Sequence, residues 1–246
     1  MSSYKDLPAY NDFLKKVSLD GGRVIAFCGA GLSKPNGLPD WKSLCANVLS
    51  DYRKEAEGYD PPEKQKILGA CASAEKSKTL WESFSVIKNI RTQAVFEATI
   101  RRHLGKCEGM KPPIVYSRLW QMGIEGIITL NLDDFSQKSY SEVKPGGPLL
   151  SFCGFQITEH VDVLTRDIPF LCHLHGKVSE ASSWVFSSDD HKRLKSVSGF
   201  REFFNACFLS ASVVFVGISA EDIGAGGILS DLLMAVKRPR GRSIFR

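Results

Sequence analysis

Four short, almost unbroken apolar runs constrain what this chain can fold into. Arg23 to Cys28 (RVIAFC), Gly126 to Leu130 (GIITL), Pro169 to Leu174 (PFLCHL) and Ser212 to Val216 (SVVFV) each stop at a polar or glycine-containing cluster. A strand that is apolar at nearly every position has no face to give to water, so it must be covered on both sides. Such strands separated by helical stretches predict an α/β fold with a Rossmann-like parallel sheet covered by helices. Between the first two runs, Trp41, Leu44, Cys45, Val48 and Leu49 keep helical spacing, as do Phe96, Ile100 and Leu104. Pro61-Pro62 and the Gly105 to Pro113 stretch (GKCEGMKPP) divide this region into separate helices. The prediction is a helical insertion over residues 41–122, after the first strand. Lys144 to Pro148 (KPGGP) predicts a turn-rich connection before the third run, of a form the sequence leaves open.

With 43% hydrophobic content, 246 residues can bury a full core, as one domain with an insertion or as two small ones. Seven cysteines, an odd number with no CxxC pair, do not suggest a disulfide framework, and a reducing cytoplasm is the simplest compartment. The opening MSSYKDLPAYNDFLKK has no apolar core of a signal peptide, and no stretch reaches the ~20 apolar residues of a membrane span. The net charge of +5 invites a nucleic-acid reading, yet Lys237, Arg238, Arg240, Arg242 and Arg246 account for all of it. A solvated basic end explains that cluster, and direct nucleic-acid binding is not expected.

Chemistry-bearing residues gather at the ends of the four runs. Gly29-Ala30-Gly31-Leu32-Ser33 follows the first. Glycines at a strand-to-helix turn let backbone N–H groups approach a dinucleotide phosphate with no Cβ in the way, although a GxG is often only a tight turn. Lys34 stands where the usual fingerprint has its third glycine. The loop continues through Pro35, Asn36, Gly37, Leu38, Pro39 and Asp40 to Trp41, too long and proline-rich for a standard Rossmann turn, and reads as a lid or as a surface loop. Thr129-Leu130-Asn131-Leu132-Asp133-Asp134 closes the second run, where ligands of open α/β sheets sit. The alternative is that Asp133 or Asp134 merely caps the next helix. His173-Leu174-His175-Gly176 closes the third, with alternation placing both histidines on one side, in catalytic or structural roles. Val216-Gly217-Ile218-Ser219, with Asp222 beyond, closes the fourth and is uninformative by itself.

Together, in this order, these junctions resemble the sirtuin family. Its GAG-hydrophobic-Ser and G-hydrophobic-P-D-aromatic elements look like Gly29 to Ser33 and Gly37 to Trp41; its TxNxD looks like Thr129-Asn131-Asp133, its HG like His175-Gly176, and its late glycine-small-Ser element like Gly217 to Ser219. The resemblance implies one domain over residues 1–246 that binds NAD in an extended pose. It implies that Gly29, Ala30, Gly31 and Ser33 hold the phosphates and adenosine side, and that Leu38, Asp40 and Asp133 lie near the nicotinamide. Asn131 would orient the ribose hydroxyls and His175 would be the catalytic histidine. Trp41, Thr129, Gly217, Ser219 and Asp222 complete the implied NAD-binding set. Nicotinamide leaves ribose C1′ with oxocarbenium-like charge while a base activates a hydroxyl or water, a step that needs no metal.

Protein-deacylating sirtuins carry a zinc module with two CxxC pairs between TxNxD and HG, whereas residues 134–174 here hold only Cys153 and Cys172, in no zinc-ligand spacing. No zinc is expected. That departure and the helical insertion look like the sirtuin-like domains of bacterial antiphage defence proteins, which deplete NAD. Trp184 to His191 (WVFSSDDH) is similar to a further element of those domains, with His191 in the usual tyrosine place. The resemblance therefore implies an NAD hydrolase. The alternatives are an NAD-dependent protein deacylase and a non-catalytic sensor that binds NAD or ADP-ribose. It also implies partners beyond NAD: further copies in a homo-oligomer, a sensor domain or a partner protein. The insertion is the expected place for such control, its alternative role being simply to cover the sheet. Because sirtuin-like domains usually add another strand, a segment of a longer polypeptide is one reading of where the chain ends.

Overall fold

The computed structural model describes residues 23–218, together with Lys15. Among these described residues, five parallel strands form one sheet: β1 (Val24–Cys28), β2 (Gly126–Thr129), β3 (Leu150–Cys153), β4 (Phe170–His173) and β5 (Ser212–Val216), in the spatial order β3-β4-β2-β1-β5. The four apolar runs are β1, β2, β4 and β5. The strand absent from the sequence reading is β3, four residues (LSFC) at the sheet edge, half of them only partly buried. Ser151 interrupts its apolar residues directly after the turn-rich Lys144 to Pro148, so it carried no continuous apolar run.

Alternation sorts the strand side chains onto two cores. Val24, Ala26, Cys28, Ile127 and Leu171 pack with the helices that follow β1, whereas Ile25, Phe27, Ile128, Phe170 and Cys172 face the opposite layer. The first layer holds α1 (Trp41–Ala56), α2 (Pro61–Glu75), α3 (Leu80–Ile90), α4 (Gln93–Leu104) and α5 (Ile114–Gln121), followed after β2 by α6 (Phe135–Val143). The second includes α7 (Ser188–Lys195) and α8 (Phe200–Ser210), with Phe200, Phe203, Phe204 and Cys207 turned inward.

Local chemistry sets the insertion's boundaries. Asp40, Asp60, Thr79 and Thr92 cap α1 to α4, each accepting from a backbone N–H three residues on. Pro61 and Pro62 sit in the first turn of α2, where a missing N–H costs nothing, so they start a helix as well as separating two. Gly105–Gly109 makes a 3₁₀ turn before α5.

All the strands point the same way, so the residues that follow β1, β2, β4 and β5 meet at one end of the sheet. There the Gly29-Ala30-Gly31 turn lies directly on Gly217. The Gly29 N–H donates to the Val216 carbonyl at 3.0 Å and the Gly31 N–H to the Gly217 carbonyl at 2.9 Å. A Cβ on Gly31 would stand 2.8 Å from that oxygen and 2.9 Å from the Gly217 Cα, and Gly217 itself holds a left-handed φ of 67°. Backbone cannot rotate aside as a side chain can. Gly31→Ala is expected to destabilise the protein by about 2 kcal/mol, the usual scale for overpacking a close contact; a denaturation midpoint equal to wild type would contradict this.

Candidate functional site

The sharpest feature of this sheet end is a buried polar network around Asn131. Thr129 ends β2 and its Oγ1 accepts from the Asn131 N–H at 3.0 Å, which fixes the turn. The Asn131 side-chain Nδ2 lies within hydrogen-bonding distance of three acceptors: the Gly29 carbonyl at 3.0 Å, Ser33 Oγ at 3.1 Å and Tyr116 Oη at 3.1 Å. A carbonyl can only accept, so the contact with Gly29 fixes which way round the amide sits, with Oδ1 directed away from that carbonyl. Ser33 passes its own proton on, donating to Asp133 Oδ2 at 2.6 Å, while Asp133 Oδ1 accepts from the Phe135 N–H at 3.2 Å.

Asp133 thus does bond the start of α6, as the capping alternative allowed, but with one oxygen only; the other serves Ser33. Asp134, the other capping candidate, makes no side-chain cap bond and pairs with Lys138 at 3.1 Å. Burial pushes the Asp133 carboxyl up to about 6, against the lowering effect of the Ser33 and Phe135 bonds.

Ala30, Ser33, Leu38, Trp41, Asn131 and Asp133 line one small cavity of about 30 Å³, whose wall also includes Leu104 of α4. Pockets for ordinary organic ligands are about 300–1,000 Å³, so a dinucleotide needs this cavity to widen. Asp40 is not in the wall. It caps α1 and pairs with Lys34 at 2.8 Å, and the Lys34 ammonium with the Ser43 N–H holds its carboxyl down at about 2. A much larger open cleft, about 850 Å³, lies next door and shares Leu132 with the cavity. Two of its lysines are engaged by the protein: Lys138 donates to the Cys107 and Glu108 carbonyls, and Lys177 to Ser151 Oγ.

His175 stands behind Trp41, which touches both the cavity and the histidine. The Trp41 and Trp81 rings meet His175 edge-on at 5.6 and 5.4 Å, leaving it 3% exposed. Neither of its ring nitrogens closes a hydrogen bond of ordinary geometry among the described residues, although the Leu130 backbone lies close enough to favour its charged form. Trp81 belongs to α3, which is strapped to α7: Trp81 stacks on His191 at 4.7 Å, Ser85 Oγ accepts from the Ser188 N–H at 3.0 Å, and Lys88 pairs with Asp190 at 2.9 Å. The spacing of Trp81, Ser85 and Lys88 puts all three on one helical face.

Of the residues singled out from sequence, Gly29, Ala30, Gly31, Ser33, Leu38, Trp41, Thr129, Asn131, Asp133 and Gly217 form one contiguous constellation, and His175 adjoins it through Trp41. Ser219 and Asp222 lie outside the described residues, as does the basic end of the chain. Tyr116, Trp81 and Lys88 escaped the sequence reading. A tyrosine beside Leu119 and Trp120 looks like ordinary core, and no local signal says which inward residue of a helix reaches a polar site. No group of three or more His, Cys, Asp or Glu side chains that could hold a metal occurs among the described residues, nor is any described helix long and apolar enough to cross a membrane.

Burial pushes His173 and His175 each down to about 3, with Lys177 adding to the effect at His173 and His191 at His175. Their ordinary value is 6.5, so between about pH 4 and 6 the unfolded chain binds a proton at each histidine that the folded chain does not. Asp133 works the other way, holding a proton when folded that the unfolded carboxyl, at 3.8, has lost. The histidine contribution is full above 6.5 and fades as the pH falls toward 3; the net imbalance is about one proton, or roughly 1.4 kcal/mol per pH unit. Asp133→Asn removes the opposing group, so its stability should fall about twice as steeply with acidification over this window. Equal slopes in urea titrations of the two proteins would refute that.

A family model described as SIR2-like domain matches residues 125–245. No curated protein matches the chain. The matched residues include Thr129, Asn131, Asp133, His175 and Gly217. The Gly29 to Ser33 turn lies before them in sequence but is hydrogen-bonded to three of them, Asn131, Asp133 and Gly217.

Proposed function

This chain belongs to the sirtuin-like family, and on that premise we propose that it cleaves the nicotinamide–ribose bond of NAD, giving nicotinamide and ADP-ribose. The observation that carries the reading is the fixed Asn131 amide. With Nδ2 turned to the Gly29 carbonyl, Oδ1 is left as the acceptor for a ligand hydroxyl, the function a ribose-orienting residue requires. Water attacks C1′ as the C1′–N bond breaks, the bond electrons return to the nicotinamide ring, and the water proton passes to His175. Asp133 supplies negative charge on the same network while ionised.

A histidine titrating near 3 is neutral at working pH and ready to accept a proton, but it is a weak base. The Trp41 and Trp81 cover causes that weakness, and Trp41 also walls the small cavity. Displacing it admits the dinucleotide and returns His175 to a more polar setting, so access and basicity rise together.

Hydrolysis is favoured over deacylation by the cysteines. Phe152 and Cys172 are register partners and share one core, so Cys153, the next residue on β3, points to the opposite face from Cys172. Two cysteines on opposite faces of a sheet cannot share one metal ion, and we assign no zinc to the protein. The same features extend the reading to the antiphage class, in which NAD depletion arrests an infected cell.

Asn131→Ala and His175→Ala are each expected to lower nicotinamide release by ~10²-fold or more, the scale of a positioning or general-base loss, with His173→Ala less affected. Wild-type turnover in the first two would remove the assignment.

A cytoplasmic enzyme that destroys a central cofactor must be restrained, and the cover built from the insertion is the restraint proposed here. Packing against further copies or a partner would shift the cover to its open arrangement. Specific activity should then rise with protein concentration across size-exclusion fractions; full activity in a dilute monomer peak, unchanged on concentration, would rule out this control.

A further inference from the structure

The helical insertion contributes more than a cover. We infer that Tyr116, on α5, is a positioning residue that holds the catalytic Asn131 amide in its working orientation.

Tyr116 is fully buried, and its hydroxyl oxygen lies 3.1 Å from Asn131 Nδ2. Burial, with the Asp133 charge nearby, raises its phenol well above the usual value, so the group stays a neutral hydroxyl throughout the working range. The Asn131 Nδ2 carries two protons and faces three acceptors. Ser33 Oγ is the least dependable of the three, because the same hydroxyl donates to Asp133 and sits in the cavity wall where a ligand would compete for it. The Gly29 carbonyl and the Tyr116 hydroxyl are the two that a ligand in the cavity does not touch, since neither residue lines it. One is fixed to the sheet and the other to α5. Between them they hold the amide from two separate parts of the fold when Ser33 is engaged elsewhere. Without the phenol oxygen, the second proton must follow Ser33, and the amide turns with it.

Tyr116→Phe tests this cleanly because the ring that fills the core remains and both Asn131 protons still find acceptors, so the fold should persist. The inference rests on the NAD-cleavage reading for its kinetic measurement and on NAD binding alone for a second. Expected for Tyr116→Phe is an about tenfold fall in kcat/KM, near the upper value of one hydrogen bond, with kcat lowered and KM raised. In the Asn131→Ala background, whose residual release is followed with radiolabelled NAD, the same change should have no further effect, since the inferred role of Tyr116 is carried by Asn131 even though its hydroxyl also lies beside Ser33. A purely structural tyrosine would give equal losses in both backgrounds, and that result overturns the inference, as does wild-type kcat/KM in Tyr116→Phe. If the wild-type chain binds NAD without cleaving it, the cleavage reading fails while positioning is still read from calorimetry: weaker NAD binding in Tyr116→Phe, absent from the Asn131→Ala background, supports it, and equal binding overturns it. A wild-type chain that neither binds nor cleaves NAD overturns both.

Discussion

The close backbone contact between the Gly29-Ala30-Gly31 turn and Gly217 sets the geometry of everything above it. It ties the end of β1 to the end of β5 by two hydrogen bonds and leaves no room for a Cβ at Gly31. With the turn fixed there, the Gly29 carbonyl is aimed at Asn131 and the Ser33 hydroxyl at Asp133. The sequence reading gave these glycines a different task, the approach of backbone to a phosphate. Chain packing alone already requires Gly31, whatever the turn also binds.

The polar network is tolerable in a buried place because its donors and acceptors answer one another. Asn131 Nδ2 has more acceptors than protons, Ser33 both accepts and donates, and Asp133 takes one bond at each oxygen. A buried amide or hydroxyl without partners would cost several kcal/mol. The two histidines are treated differently. Burial outweighs the backbone contact that favours the charged form of each, with Asn131 for His173 and Leu130 for His175, and both remain neutral, which is why the acid limb of stability is assigned to them and not to the network.

Much of this was legible in the sequence. Apolar runs with no polar face announced the central strands, and alternation put His173 and His175 on one side. The strand ends marked Asn131, Asp133 and Gly217 as neighbours of Gly29 although each is far from it along the chain. What stayed hidden was whatever depends on the third dimension of the insertion. Tyr116 and Trp81 have the composition of core residues, and only the packing of α5 and α3 over the sheet shows that one meets Asn131 and the other His175. The strand β3 was hidden for a different reason: it is four residues long and Ser151 breaks its apolar pattern.

The insertion is joined to the sheet by two unlike kinds of contact. Along α1 and α4 the joint is apolar, with Leu44, Val48, Phe96 and Ile100 in the same core as Ala26 and Ile127. Burial of that kind contributes roughly 1.5–3 kcal/mol per large side chain and is lost only when the layer separates. Along the face of α3 beside His175, the joint is a ring stack, one hydrogen bond and one partly buried ion pair. Water offers good replacements for the last two, so their net worth is small. The Trp81, Ser85 and Lys88 face of α3 is therefore the part of the joint held by the more replaceable contacts, while Phe84 and Ile87 on the same helix share the apolar core. The proposed cleavage of NAD, which asks one fold both to hide its site and to admit a large substrate, would draw on that asymmetry, and it comes from where the apolar and polar faces of α3 fall.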